Sequence, residues 1–465
     1  MSGVPPAFAA TTIAEEIAAF AADVTYEDLP PDVVERAKLF ILDSVGVAYA
    51  ATTFPFATMA AAAFAQLGSG THPVIGSPQC LAQRDAAIVN GVLCHGLDYD
   101  DTHVASGCHA STSAFPLALA MSVEHGKGGR DLLLGYVLAV EVAARVAAAT
   151  EGKLHAVGFH PTGVAGAFGC ATAAARLSDL DASGIARAQG IVGSMAAGVL
   201  EFLDDGSWTK RLHPGLAAAN GITAAALARA RWKAPACIYE GRFGFYRTHI
   251  QTEDVDLRPW TASLGHRWEV LNNAVKPFPV CHFIHAFADA ALALRRAEGF
   301  DGQKIVAIDA FIHPTPGAVV SYPAEGKVAP KSDYEAKFSL PYVVATTLLH
   351  GKFGLAELED AALSDPAVLA LATRVTCHDD PQSAFPQYFS GELRIRLDDG
   401  RELTHREHVN RGADTRPLSA ADIVAKFDEN AALVLSARRA RAIRDTVLSL
   451  DSVESAAAFG SLLSG

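Results

Sequence analysis

The chain has 465 residues, 50 % hydrophobic and 19 % charged, a composition that excludes intrinsic disorder and supplies more than one core. Its formal net charge of −13, without a strongly basic run, argues against nucleic acid and anionic membrane as partners. Seven scattered cysteines without a C-x-x-C pair, an N-terminus (MSGVPPAFAATTIAEEIAAF) without a basic leader region, and no apolar run of membrane-spanning length together lead us to expect a reduced, cytoplasmic protein.

In chain order, apolar periodicity predicts a helix over 12–24, capped by Thr12, and a nearly all-apolar helix over 31–51 behind Pro31. Alanine-rich helices are expected at 55–67, 82–97, 112–126, 129–150, 163–178, 183–203 and 214–231. Gly163, Gly166 and Gly169 do not follow a strand, so they read as close helix packing and not as a phosphate loop. From about residue 266 prolines and β-branched residues enter. A strand is expected at 304–314, helices at 282–297 and 333–350, a helix running into a strand at 368–380, and a hairpin at 392–407 turning on Asp399-Gly400. Helical patterns return from 418. The fold class is therefore mainly α: a large all-helical domain (1–265 plus 411–465) with an inserted, smaller α+β lid domain (266–410).

Titratable residues concentrate in VLCHGLDYDDTHVASGCHASTS, residues 92–113. There His95, Asp98, Asp100, Asp101, Thr102, His103 and His109 fall between two apolar helices. Polar groups so placed are costly unless paired or used. A second cluster is His160 in Gly158-Phe159-His160-Pro161-Thr162. A third, Ser207-Trp208-Thr209-Lys210-Arg211-Leu212-His213, sets cations before an alanine helix. That is the wrong sign for the helix dipole, so these cations should face an anion. Ser207-x-x-Lys210 matches a penicillin-binding serine–lysine pair, but no Lys-Thr-Gly follows. A fourth cluster is Lys276 to His285, where Cys281 and His285 have zinc-ligand spacing but lack clear further ligands. A fifth is Tyr322 with the loop through Lys327 and Lys331. The set holds no obvious nucleophile, nucleotide loop or metal motif. It suits proton transfer beside a carboxylate, for which no cofactor is required.

HGLDYDDTH (95–103), GFHPTGVAGAFG (158–169), TKRLHPGLAAANG (209–221), IYEGRFGF (238–245), KPFPVCHFIHAFADA (276–290) and AKFSLPYVVATTLLHG (336–351) resemble, collinearly, the MmgE/PrpD family. Its members include 2-methylcitrate dehydratase, cis-aconitate decarboxylase and iminodisuccinate epimerase. The resemblance implies a homodimer with a cleft between its two domains, acting on a small polycarboxylate. It implies active-site roles for Asp98, Thr102, His109, His160, Lys210 and Tyr322. Lys276 would bind substrate, with Asp101, His103, His213 and His285 as close candidates. The chain reads His109-Ala110-Ser111 where the family usually reads His-Pro-Ser, a departure that bears on the reaction more than on the fold. The expected activity is a cofactor-independent lyase, dehydrating a 2-methylcitrate-like acid by proton abstraction α to a carboxylate. Decarboxylation and epimerisation at the same site are the alternatives. Behind them stand a metal-dependent hydrolase using Asp98, Asp100, Asp101 and the nearby histidines, and a non-catalytic carboxylate-binding homologue.

Overall fold

The computed structural model describes residues 11–252 and 255–465; the start of the segment read for a leader lies outside them. The fold is mainly α and divides into two compact units, residues up to Asn273 with Ser419–Gly465, and Ala274–Leu418. Both breaks fall a little C-terminal to those expected at 265/266 and 410/411. Residues 266–273 are tied into the helical unit, because Val270 N–H donates to Glu141 Oε1 at 2.8 Å and Asn273 Nδ2 to Asp101 Oδ2 at 2.5 Å. Residues 411–418 belong to the second unit, where Arg411 pairs with Asp289 at 3.0 Å.

The first unit is built on α1 (Ile13–Asp23), α2 (Pro31–Ala51), α3 (Gln83–His95), α4 (Ser111–Glu124), α5 (Gly129–Ala148), α6 (Pro161–Leu177), α7 (Ala182–Val192) and α8 (Thr209–Arg229). Thr12 caps α1 in a reciprocal box with Glu15. Every residue of α2 from Leu39 to Ala51 is buried, as a helix apolar on all sides must be. Small residues let the others approach closely. A Cβ added at Gly91 of α3 would lie 2.5 Å from Gly215 Cα of α8, and one at Gly215 would collide with the Ile88 backbone. Gly215→Ala is therefore expected to lower stability by about 1–3 kcal/mol, read as a shift in the urea midpoint at unchanged slope.

Four expectations need correction, one of them in the second unit: the helix expected over 333–350 is two, Asp333–Lys337 and Leu340–His350, because Ser339 caps the second and Pro341 has no N–H to continue the first. A short strand pair, His72–Val74 with Ser77–Leu81, lies where no element was expected. The helix expected over 183–203 ends at Val192. Gly198 beyond it takes φ +141° and its carbonyl accepts the His160 N–H at 2.9 Å, so the chain wraps His160 instead of continuing the helix. The helix expected from 214 starts at Thr209. Pro214 has no N–H for the Lys210 carbonyl, a loss tolerable near the helix start, and Lys210 and His213 thereby join the helix itself. No single helix among the described residues is long and apolar enough to cross a membrane.

In the second unit, β1 (Ile305–Ile312) pairs in parallel with β2 (Val375–Asp379) and antiparallel with β3 (Gly391–Leu397), which pairs with β4 (Glu402–Glu407). Strand order is β2-β1-β3-β4. Ile308, Ala310 and Ile312 point one way, as strand alternation requires. They join a core with Phe287 of helix His285–Glu298 and Leu348 of helix Leu340–His350. The β3–β4 turn uses Gly400 at φ +87°, a conformation glycine adopts without strain.

Candidate active site

The site grows from the link between α3 and α4. His95 ends α3, and the chain then turns sharply through Asp98 at φ +52°. Aspartate tolerates this left-handed conformation better than most residues. The turn sends three near-consecutive aspartates to three different partners.

Asp98 Oδ1 pairs with Lys210 Nζ on the first turn of α8 at 3.0 Å. The cation at a helix N-terminus thus faces an anion, as its unfavourable dipole position predicts. Asp100 is fully buried and holds two rings at once: His95 Nδ1–H donates to Oδ1 at 3.0 Å and His109 Nδ1–H to Oδ2 at 2.7 Å. Burial alone would raise the Asp100 carboxyl, but the two imidazoles and their hydrogen bonds outweigh it and hold it well below the usual carboxylate range. Thr102 Oγ1 lies 3.4 Å from His109 Nδ1, and the His109 N–H donates to Thr162 Oγ1 at 2.9 Å.

His160 caps α6 and stacks 5.7 Å, centroid to centroid, from His95, with His109 at 6.0 Å. Its Nδ1 lies 3.0 Å from His213 Nδ1, so one ring donates and the other accepts. Burial, then Lys210 and the neighbouring rings, push His160 well below the ordinary histidine range. Burial first, then His95 and Lys210, take His213 to about 4. Both rings are therefore neutral at pH 7. The assembly offers carboxylate-oriented imidazoles, neutral imidazoles and a lysine cation within one buried space. That equipment can move a proton beside a bound carboxylate.

Asp101 and His103, expected to bind substrate, face elsewhere. Asp101 Oδ2 accepts from Ser111 Oγ at 2.6 Å and from Asn273, and burial lifts its carboxyl to about 7. His103 is fully buried with Nδ1 on Ser106 and Nε2 on Glu269 Oε2 at 3.1 Å. Burial opposes ionisation of Glu269, but the His103 hydrogen bond prevails and takes it to about 2. With both ring nitrogens engaged, His103 props the loop and has none left for a ligand.

Lys276, His285 and Tyr322 belong to the second unit. Lys276 and His285 are buried, with His285 Nε2–H donating to the Val280 carbonyl at 3.1 Å, and Tyr322 is exposed. His95 and Asp100 stand in the titratable cluster of the sequence but have no role in the lyase site expected from it. Their signal was present in the density of His and Asp over 95–109, but spacing along a turn does not reveal which carboxylate faces which ring.

Comparison with known proteins gives a consistent picture. A family model described as the MmgE/PrpD N-terminal domain matches residues 15–258, and one described as the MmgE/PrpD C-terminal domain matches residues 278–452. The chain is 28 % identical over 445 residues to a human protein named cis-aconitate decarboxylase, covering 93 % of this chain and 90 % of the relative. It is 28 % identical to a mouse protein of the same name (98 % and 94 % covered) and 27 % to one from Aspergillus terreus strain NIH 2624 (94 % and 93 %).

Proposed function

The chain belongs to the MmgE/PrpD family, and on that premise we propose that it is a cofactor-independent lyase that decarboxylates a small unsaturated polycarboxylate of the cis-aconitate type. The sequence alone ranked dehydration of a 2-methylcitrate-like acid first. Several relatives that align along nearly the whole chain carry the name cis-aconitate decarboxylase, and this moves decarboxylation ahead. The observation that carries the reading is the Asp100 carboxylate holding His95 and His109 beside His160 and the Asp98–Lys210 pair.

In cis-aconitate the bond from the CH2 carbon to its carboxylate breaks and carbon dioxide leaves. The electron pair forms a new double bond, and the former vinyl carbon, α to a second carboxylate, takes up charge and then a proton. Lys210 meets the developing negative charge. His109 is the proton donor, with Asp100 orienting its ring and stabilising its imidazolium, as a buried carboxylate does for a catalytic histidine. His160, neutral and coupled to His213, donates or accepts a hydrogen bond without competing for charge. Lys276, as a carboxylate ligand, and Tyr322 enter the proposal on their motifs alone, as does a homodimer, which light scattering checks directly.

A proton NMR time course in deuterated buffer tests the reading, with cis-aconitate, citrate, 2-methylcitrate and an iminodisuccinate-like acid as substrates. Loss of carbon dioxide from cis-aconitate, with one deuterium on the carbon α to a carboxylate, is expected. Water loss from a hydroxylated acid with cis-aconitate untouched would return dehydration to first place.

A further inference from the structure

His95, His109 and His160 can each bring a ring nitrogen within 4.8 Å of the other two, and His95 and His109 stand in the same relation to carboxylate oxygens of Asp98 and Asp100. All five residues are buried. His95 is 1 % exposed, its Nδ1 is held by Asp100, and its Nε2 has no hydrogen-bond partner among the described residues. An orphaned ring nitrogen in a buried site is a costly feature. It also has the form of a metal ligand, because a ligating imidazole commonly donates its other N–H to a carboxylate that fixes its tautomer. Asp100 serves two of the three rings in that way.

We propose that His95, His109 and His160 form an exchangeable binding site for a borderline-soft divalent transition-metal ion, Zn2+ in particular, whose occupancy blocks the lyase site. Three imidazoles suit zinc, cobalt, nickel and copper and not magnesium or calcium. Zinc–nitrogen bonds of about 2.0–2.1 Å in a tetrahedron set nitrogens about 3.3 Å apart, so the rings must close on the ion. Lys210, ion-paired with Asp98 at 3.0 Å, adds a like charge nearby. Both features weaken the site relative to a resident structural metal and make it one that fills and empties with metal supply. The blocking effect rests on the lyase reading; the binding itself does not.

The test is titration of metal-free, full-length protein with Co2+, followed by visible absorption. Intense bands of four-coordinate cobalt, saturating at one ion per chain, displaced by Zn2+ and unaffected by Mg2+, are expected. Asp100→Asn should weaken the binding roughly 10–100-fold, the usual effect of removing an outer carboxylate, and His95→Ala by at least about as much. Only faint six-coordinate bands, or titrations unchanged in both His95→Ala and His160→Ala, would overturn the proposal and assign the metal to other histidines among the 17. Zinc-edge X-ray absorption of the wild-type complex needs no variant to fold: three imidazole ligands support the site, and one or none removes it. Parallel assays with cis-aconitate keep the two readings apart. Turnover by the metal-free chain with no metal binding, or with no loss of turnover on saturation with Zn2+, defeats this inference alone, and metal binding by a chain whose metal-free form leaves cis-aconitate untouched defeats the lyase reading alone.

Discussion

Asp100→Asn is expected to lower kcat by about 10³–10⁴-fold, the scale seen when a buried carboxylate that orients a catalytic histidine becomes an amide. The asparagine keeps the volume of Asp100 but offers one oxygen and one NH2 to two rings that now both donate to carboxylate oxygens at 3.0 and 2.7 Å. At least one ring must adopt the other tautomer or turn away. The loss falls on kcat more than on KM, because Asp98–Lys210 does not involve Asp100. Steady-state kinetics on the substrate identified by NMR read the split. An Asp100→Asn enzyme within tenfold of wild type would remove His109 from proton delivery.

The second large effect is on stability. Lys426, on the helix Ala420–Ala431, is buried with its Nζ 2.7 Å from Asp43 of α2. The same ammonium donates to the Tyr99 carbonyl at 2.6 Å and sits 3.8 Å from the centre of the Tyr99 ring. Lys426→Met strips the buried Asp43 of its cation, which should cost about 3–5 kcal/mol, measurable by urea unfolding and partly recovered by adding Asp43→Asn. Burial raises the Asp43 carboxyl to about 6 even though Lys426 opposes the shift. Between about pH 4 and pH 6 the folded protein keeps a proton that the unfolded chain has released, so this group's contribution to stability falls as pH rises through that window and levels off above it. Without Lys426 the carboxyl titrates higher still, and the variant's deficit should widen as pH rises above about 6. A deficit independent of pH would mean that Asp43 is not the group left stranded.

Much of the fold is legible in the chain because its local signals agree. Thr12 with Glu15 marks a helix start, the apolar run of α2 demands burial, and Asp399-Gly400 between alternating strands turns where expected. The signal fails where tertiary contacts decide. Largely apolar sequence continues past Val192, yet the chain leaves the helix and the Gly198 carbonyl meets His160. Pro214 resembles a first helical residue, but the helix already holds Lys210 against Asp98. In the site, Asp98, His109, His160 and Lys210 stand out by residue type and motif. The division of labour among Asp98, Asp100 and Asp101 does not, because a single left-handed residue at Asp98 redirects each carboxylate to a different partner.

The contact between Lys426 and Tyr99 also sets an order of events during synthesis. All the residues of the histidine cluster have left the ribosome before Lys426 has been translated. Until it arrives, the contacts that Lys426 makes to Asp43 and to the Tyr99 carbonyl are missing, and the loop carrying Asp98 and Asp100 rests on its other contacts alone. The first 273 residues therefore lack these two contacts while the inserted unit is being made. A nascent chain stalled inside that insert has its histidine cluster complete and lacks the two contacts of Lys426, which makes it a client for chaperones.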